Sequence, residues 1–222
     1  RLQGYGNLGA YITGVAPGPL SLNTGKNLAS VYRTPLLGVD IKTVLTNTTL
    51  MGAYRGAGRP EANYYMERLI DRAADEMGIN RLTLRKRNFI KPSQLPFAAA
   101  SGVTYDSGDY APMLAKALDM VGYERFLREE QPRLRAQGKR VGIGVVCYVE
   151  GTGIGPYEGA KVQVQTSGKV SLLTGIGTQG QGHFTSFAQI VADQVGVAVS
   201  DVEVITGDTD QFYWGAGTFA SR

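Results

Sequence analysis

Only one cysteine and one histidine occur in the 222 residues of this chain. Cys147 lies inside the apolar run "VGIGVVCYVEG", so there is no disulfide framework; a buried, inert thiol is expected, which suits a reducing cytoplasm. His183 has neither a second histidine nor a cysteine at ligand spacing, which argues against a metal held by side chains. One histidine without a nucleophile turn also excludes a Ser-His-acid set. No apolar run approaches the length of a membrane span, and no charged-then-apolar leader opens the chain. "NTT" at Asn47 fits the glycosylation pattern but, without a secretion signal, reads as a polar strand end. Internal repeats and low-complexity tracts are missing as well.

What is present is globular in composition: 43% hydrophobic and 19% charged residues are enough to bury one sizeable core or two small ones, and they exclude disorder. The net charge is only +4, yet basic residues cluster in "RLTLRKRNFIK" (Arg81 to Lys91) and "RFLREEQPRLRAQGKR" (Arg125 to Arg140). Acidic residues interrupt the second cluster, and neither carries a recognition-helix pattern or a stacking motif. Both are therefore read as solvated helix faces or a protein-docking surface, not as a nucleic-acid site.

Along the chain the period changes several times. "VDIKTVLTN" alternates as a strand. From Pro60, "PEANYYMERLIDRAADEMG" puts Ala62, Tyr65, Met66, Leu69, Ile70, Ala73 and Met77 at helical spacing, with Gly78 as the stop. Asn80 caps a second helix over "RLTLRKRNFI". The aperiodic "KPSQLPFAAASGV" reads as a linker; beyond it Asp109 caps a helix, and a further helix follows that Pro132 should kink or restart. "RVGIGVVCYVEG" is read as a strand, "GAKVQVQTSGKVSLLTG" as a hairpin around Ser167-Gly168, and "DVEVITGD" as a last strand. The expected class is α+β, with mixed sheets and helices.

Two loops place glycines directly before a helix. In "GAYRGAGRPEANYYMERL", Gly52, Gly56 and Gly58 permit tight backbone and Arg55 and Arg59 offer forked donors, so that the free helix N-terminus suggests an anion as guest; the bland reading is a turn with solvated arginines. In "GTQGQGHFTS", Gly177, Gly180 and Gly182 alternate with Gln179, Gln181 and His183 ahead of a helix whose apolar residues are Phe184, Phe187, Ile190, Val191 and Val195. A phosphate loop needs a lysine after its last glycine, and a dinucleotide fingerprint needs a different spacing; "GTGIGPYEG" at Gly151 fails the same context test. An amide both donates and accepts, so alternating Gly and Gln suits a flat heterocyclic cofactor better than a bare phosphate. His183 is read as a hydrogen-bond donor or a simple helix-start residue.

Four motifs in this order, "AYRGAGRPEANYYMERLIDRAADEMGINRLTLRKRNFI", "CYVEGTGIGPYEGAKVQV", "GTQGQGHFTSFAQIVADQVGV" and "GTFASR", resemble the molybdenum-binding subunit of the xanthine dehydrogenase and aldehyde oxidase family, and within it the large subunit of aerobic-type carbon monoxide dehydrogenases and their homologues. The resemblance runs from about Val39 to Arg222. It implies parts of two molybdopterin-binding domains, the C-terminal part of the first over 1–97 and the N-terminal part of the second over 98–222. It implies a molybdopterin, in bacteria usually the cytosine dinucleotide, whose dithiolene and not a side chain holds the molybdenum. Gln179, Gly180, Gln181, Gly182 and His183 would form one cofactor loop, and Gly217, Thr218, Ala220 and Ser221 a second. Arg55 would lie beside the metal centre, in an active-site loop of Tyr54, Gly56, Ala57, Gly58 and Arg59. The implied chemistry is oxidative hydroxylation with water as the oxygen source. Electrons would leave through iron–sulfur and FAD partner subunits, in a cytoplasmic dimer of heterotrimers.

One departure bears on the substrate. Carbon monoxide oxidisers carry a copper-ligating cysteine in this loop, and Gly56 stands in its place here, so no copper is expected and an aldehyde or N-heterocycle is the expected substrate. The family's upstream glycine-rich motif and its downstream glutamate base have no counterpart in this stretch. The chain begins without methionine, so it reads as an internal fragment, inactive alone. The readings left open are this enzyme, the same family with carbon monoxide as substrate, and a non-catalytic nucleotide-binding or scaffold module.

Overall fold

The computed structural model describes residues 1–12, 14, 17–153, 155 and 157–222. The chain divides into two compact units, Arg1–Val149 and Glu150–Arg222, and both mix helix with sheet.

In the first unit, β1 (Leu2–Asn7) and β2 (Val39–Val44) run parallel, Leu2 opposite Val39 and Asn7 opposite Val44. A parallel pair needs a crossover, and this one carries a π-helical turn, Gly18–Asn23, that runs into the short helix α1 (Thr24–Asn27). The change of period at Pro60 becomes α2 (Arg59–Met77), with proline in its first turn and Gly78 closing it in the left-handed region at φ 63°. Helix α3 (Arg81–Asn88) follows almost at once, because Asn80 Oδ1 accepts from Leu82 N at 2.9 Å and Thr83 N at 3.1 Å. A cap of this kind stabilises a helix by about 0.5–2 kcal/mol. After the short antiparallel pair β3 (Phe97–Ala98) and β4 (Thr104–Tyr105), Asp109 precedes α4 (Tyr110–Met120) but makes no side-chain cap bond. The last helical run is α5 (Tyr123–Arg125), a π-helical stretch Phe126–Glu130, and α6 (Gln131–Ala136). The disturbance falls just before Pro132, which has no N–H for the carbonyl one turn back.

Val31, Tyr32, Phe89 and Leu114 centre this unit, with Met66, Ile70, Leu118, Val145 and Cys147 against them. Two expectations are corrected. The α2 stripe is narrower than its apolar residues suggest: Ala62 is buried and Met66 and Ile70 pack on the core, but Tyr65, Leu69 and Met77 are exposed, while Glu67 is buried. The strand expected at residues 140–151 does not form: among the described residues 141–150 have no strand partner, although their exposure alternates as a strand's would. Val145, Cys147 and Val149 face the core, which produces the alternation, but pairing needs a neighbour that the sequence pattern cannot supply.

The "RLTLRKRN" segment is also not simply a solvated face, because Arg85 is completely buried. Its Nε donates to Glu67 Oε2 at 2.8 Å and its Nη1 to Asp71 Oδ1 at 2.8 Å, while Tyr32 Oη donates to Glu67 Oε1 at 2.5 Å. Burial opposes the Arg85 charge, but its hydrogen bond to Asp71 and the Glu67 charge outweigh it and hold its pKa above the usual value. Burial, then the Glu67 hydrogen bond, push the Tyr32 hydroxyl well above its ordinary range, so it remains an O–H donor. Burial likewise pushes the Cys147 thiol up to about 11, which keeps it protonated and inert at neutral pH.

In the second unit, β5 (Ala160–Val164), β6 (Val170–Thr174) and β7 (Val202–Thr206) form one sheet in that order, β5 antiparallel and β7 parallel to β6. The hairpin closes at Gly168, left-handed at φ 85°, with Gln165 N donating to Lys169 O at 2.8 Å. Helix α7 (His183–Val195) makes the crossover to β7 and ends at Gly196. The buried centre is Val170, Leu172 and Val191, with Phe187, Val202 and Val204 around it. The expected α7 stripe is again only partly right, since His183, Ala188, Val191 and Ala192 face inward while Phe184 and Ile190 are exposed.

Candidate functional site

The glycine–glutamine loop leaves the carboxyl end of β6 and enters α7, the position at which parallel βαβ units expose backbone to ligands. Residues 179–182 are all exposed. Gly180 and Gly182 are left-handed at φ 95° and 85°, and Gly182 opens α7 without any side-chain cap bond. The Gly182 carbonyl accepts from Thr185 N at 3.1 Å and Ser186 N at 3.0 Å. The N–H groups of His183 and Phe184 have no intrahelical acceptor, and the positive end of the helix dipole adds to them, so this terminus suits an anion.

Gln181 is exposed, not buried, and its Oε1 accepts from Gln179 N at 2.6 Å, which folds the loop and leaves the amide NH2 as a donor pair. His183 departs from the expected pattern, because its side chain turns inward. The residue is 5% exposed, its ring stacks on Phe187 at 4.7 Å, and Nδ1 is buried without a partner. No group of three or more metal-ligating side chains occurs among the described residues.

The second expected loop lies directly against the first. A Cβ at Gly175 would fall 2.1 Å from Trp214 O, and one at Gly215 would fall 2.6 Å from Gly175 O, so two glycine backbones meet where no side chain fits. Thr218 Oγ1 donates to Gly177 O, tying the two loops again. Ala220 and Ser221 both stand in the left-handed region, at φ 55° and 60°, a conformation that costs energy for residues with a Cβ and persists where the surroundings enforce it.

A residue that the motif reading passed over lies beside this segment. Glu158 Oε1 accepts from Ala216 N at 2.9 Å, Gly217 N at 3.0 Å and Arg222 Nη1 at 2.8 Å. Nearby, Trp214 Nε1 donates to Tyr157 O at 3.0 Å, and Ser221 Oγ donates to Glu150 Oε1 at 2.9 Å. Glu150 and residues 157–159 thus come together in this unit with the glycine-rich stretches around 175–182 and 214–222. The hydroxyls of Thr218 and Ser221 and the Gly217 N–H are already engaged within the protein. What this loop can offer a ligand is therefore mainly backbone.

The arginine loop belongs to the first unit. Tyr54 and Arg55 are exposed, and Gly56, Ala57 and Gly58 are all left-handed, at φ 91°, 45° and 96°. Asn23 Nδ2 donates to Ala57 O at 3.1 Å and Thr24 Oγ1 to Gly58 O at 3.2 Å; a Cβ at Gly58 would lie 2.1 Å from Pro19 O. The α2 terminus has less to give than the sequence suggested. Arg59 N donates to Gly56 O, Pro60 has no N–H, and Ala62 N donates to Gly58 O, which leaves only the N–H of Glu61 in the first turn. The exposed guanidinium of Arg55 is a donor this loop retains.

Comparison with known proteins adds to this geometry. Residues 1–89 and 116–222 each match a family model described as a molybdopterin cofactor-binding domain. The chain is 33% identical over 221 residues to 6-hydroxypseudooxynicotine dehydrogenase complex subunit gamma from Paenarthrobacter nicotinovorans, covering 97% of this chain and 28% of that protein. It is 36% identical over 210 residues to the carbon monoxide dehydrogenase large chain of Afipia carboxidovorans, covering 86% of this chain and 26% of that one. Among solved structures, quinoline 2-oxidoreductase from Pseudomonas putida 86 superposes with a TM-score of 0.87 at 33% identity, over 99% of this chain and 30% of that chain. The chain therefore spans between a quarter and a third of the length of these relatives.

Proposed function

This chain belongs to the molybdopterin cofactor-binding domain family and is similar to a carbon monoxide dehydrogenase large chain, and from that premise we propose that it is the cofactor-gripping part of a molybdenum hydroxylase large subunit. The observation that carries this reading is the junction of two glycine-rich loops beside an uncapped helix N-terminus. The residues fit a pterin dinucleotide. Gly182 and the first N–H groups of α7 would take its diphosphate, and the Gln179–Gln181 amides its heterocyclic edge. The strained backbone at Ala220 and Ser221, with Gly217 and Thr218 bracing it, would close over the other side. His183, turned inward, would hold the start of α7 in place. When bound, the molybdenum centre would supply two-electron oxidation with water as the oxygen source.

Residues 1–97 and 98–222 would be parts of the first and second molybdopterin-binding domains. Arg55 would face the substrate side as a forked donor that orients an oxygen or ring nitrogen, with Tyr54 and Arg59 flanking it. Iron–sulfur and FAD subunits would carry electrons away in a cytoplasmic dimer of heterotrimers. No helix among the described residues is long and apolar enough to cross a membrane.

For substrate we infer an aldehyde or an N-heterocycle, without copper. Glycine offers no ligand atom, and position 56 resists acquiring one: its φ of 91° is left-handed and a Cβ would lie 2.7 Å from Pro60 Cδ. The similarity to quinoline 2-oxidoreductase supports the heterocycle; the similarity to a carbon monoxide dehydrogenase large chain favours carbon monoxide as the second reading. Metal analysis and parallel assays of the full-length complex separate the two. Turnover of quinoline-type rings or aldehydes with copper far below one per molybdenum is expected; stoichiometric copper with carbon monoxide oxidation would overturn the inference.

A further inference from the structure

Two consecutive backbone N–H groups and a guanidinium converging on one point make an anion-binding nest. Here Ala216 N, Gly217 N and Arg222 Nη1 form such a nest, and a carboxylate of the same chain fills it: Glu158 Oε1, at 2.8–3.0 Å from all three. The pair is well sheltered, with side-chain exposures of 12% for Glu158 and 6% for Arg222. Its backbone is pinned too, since a Cβ on the adjoining Gly159 would lie 2.8 Å from the Phe212 ring. Arg222 in turn lies over the Phe219 ring at 4.7 Å, so the carboxylate, the guanidinium and the ring bracket the left-handed residues Ala220 and Ser221.

We propose that Glu158 is a positioning residue for the cofactor, holding the loop from Ala216 to Arg222 in the strained form that presents its backbone to the pterin dinucleotide. This rests on the reading of the two loops as a molybdopterin grip. Three considerations favour a dedicated brace over a casual ion pair. The strain at two successive non-glycine left-handed residues must be offset locally, and Glu158 supplies bonds at both ends of that strained segment. A charged acceptor with three donors is stronger than the neutral bonds that would hold an ordinary turn. A carboxylate already in the nest also keeps a cofactor phosphate from settling between Ala216 and Gly217, directing the phosphates to the uncapped start of α7 instead.

The brace acts through charge and through an acceptor oxygen, and two variants separate these from folding. Glu158→Gln keeps an acceptor oxygen for Ala216 N, Gly217 N and Arg222 but loses the negative charge that pairs with the guanidinium; Glu158→Ala loses both. The full-length subunit with its partners would be purified in each form. Pterin nucleotide and molybdenum per subunit would be followed during dialysis, beside the melting temperature of cofactor-free protein. The expected result is cofactor loss about tenfold or more faster in Glu158→Ala, with the Gln variant between it and wild type, a loss larger than the accompanying fall in cofactor-free melting temperature accounts for. Retention in Glu158→Ala equal to wild type overturns the proposal, as does a loss matched by an equal fall in cofactor-free stability in both variants. Wild-type protein without any pterin nucleotide would instead refute the underlying reading of the loops.

Discussion

Replacing Arg85 with methionine is expected to destabilise the first unit by about 3–5 kcal/mol, because it strips the counter-charge from carboxylates inside the protein. Methionine retains most of the apolar stem, so the loss is electrostatic and not a cavity. Glu67, 4% exposed, would be left with only the Tyr32 hydroxyl and its own backbone surroundings, and Asp71 with the long contact from Arg81 at 3.9 Å. Denaturant unfolding of the variant and of the double variant Arg85→Met/Glu67→Leu checks this. The double variant should regain a large part of the lost stability, since removing both charges relieves the desolvation cost that removing one leaves uncompensated. A single variant as stable as wild type would mean that the cluster is hydrated in solution.

The second large effect is expected at Gly175. An alanine there would set its Cβ 2.1 Å from Trp214 O and 2.3 Å from Gly215 Cα, against backbone that cannot rotate away as a side chain can. Overpacking of this kind costs about 1–3 kcal/mol, and the relief available is to push the two loops apart. Gly175→Ala should therefore lower the melting temperature and also release cofactor, whereas Gly177→Ala, with open space around its Cβ, should do neither through sterics. Equal behaviour of the two variants would show that the loops are not in contact when the protein is in solution.

Helix starts and stops were the most legible features, because they depend on local chemistry: Pro60, Gly78 and Asn80 act within a turn of their own position. The hairpin at Gly168 was readable for the same reason. Faces were less so. Phe184, Ile190, Tyr65 and Leu69 fit an apolar period yet remain exposed, since a helix buries only the arc that meets a neighbour, and the neighbour is set by tertiary packing. Segment 141–150 has the alternation of a strand without a partner. The Arg85 cluster was illegible because burial of a charge is decided by residues far along the chain, Tyr32, Glu67 and Asp71.

At the site, the Gly-Gln loop was found from its composition, and the family resemblance added the second loop. Glu158 was missed, although it stood inside a quoted motif, because nothing local marks it. Its partners are 58, 59 and 64 residues away, and only the fold brings them to one oxygen. The inward turn of His183 was equally hidden, as a helix-start position does not reveal which way the ring faces.

The most direct test is chemical analysis of the full-length subunit purified with its partners: molybdenum by metal analysis and the pterin nucleotide released on denaturation. About one molybdenum and one pterin dinucleotide per subunit is the predicted result, with cytosine as the base. Protein that is folded yet carries neither molybdenum nor any pterin would contradict the account.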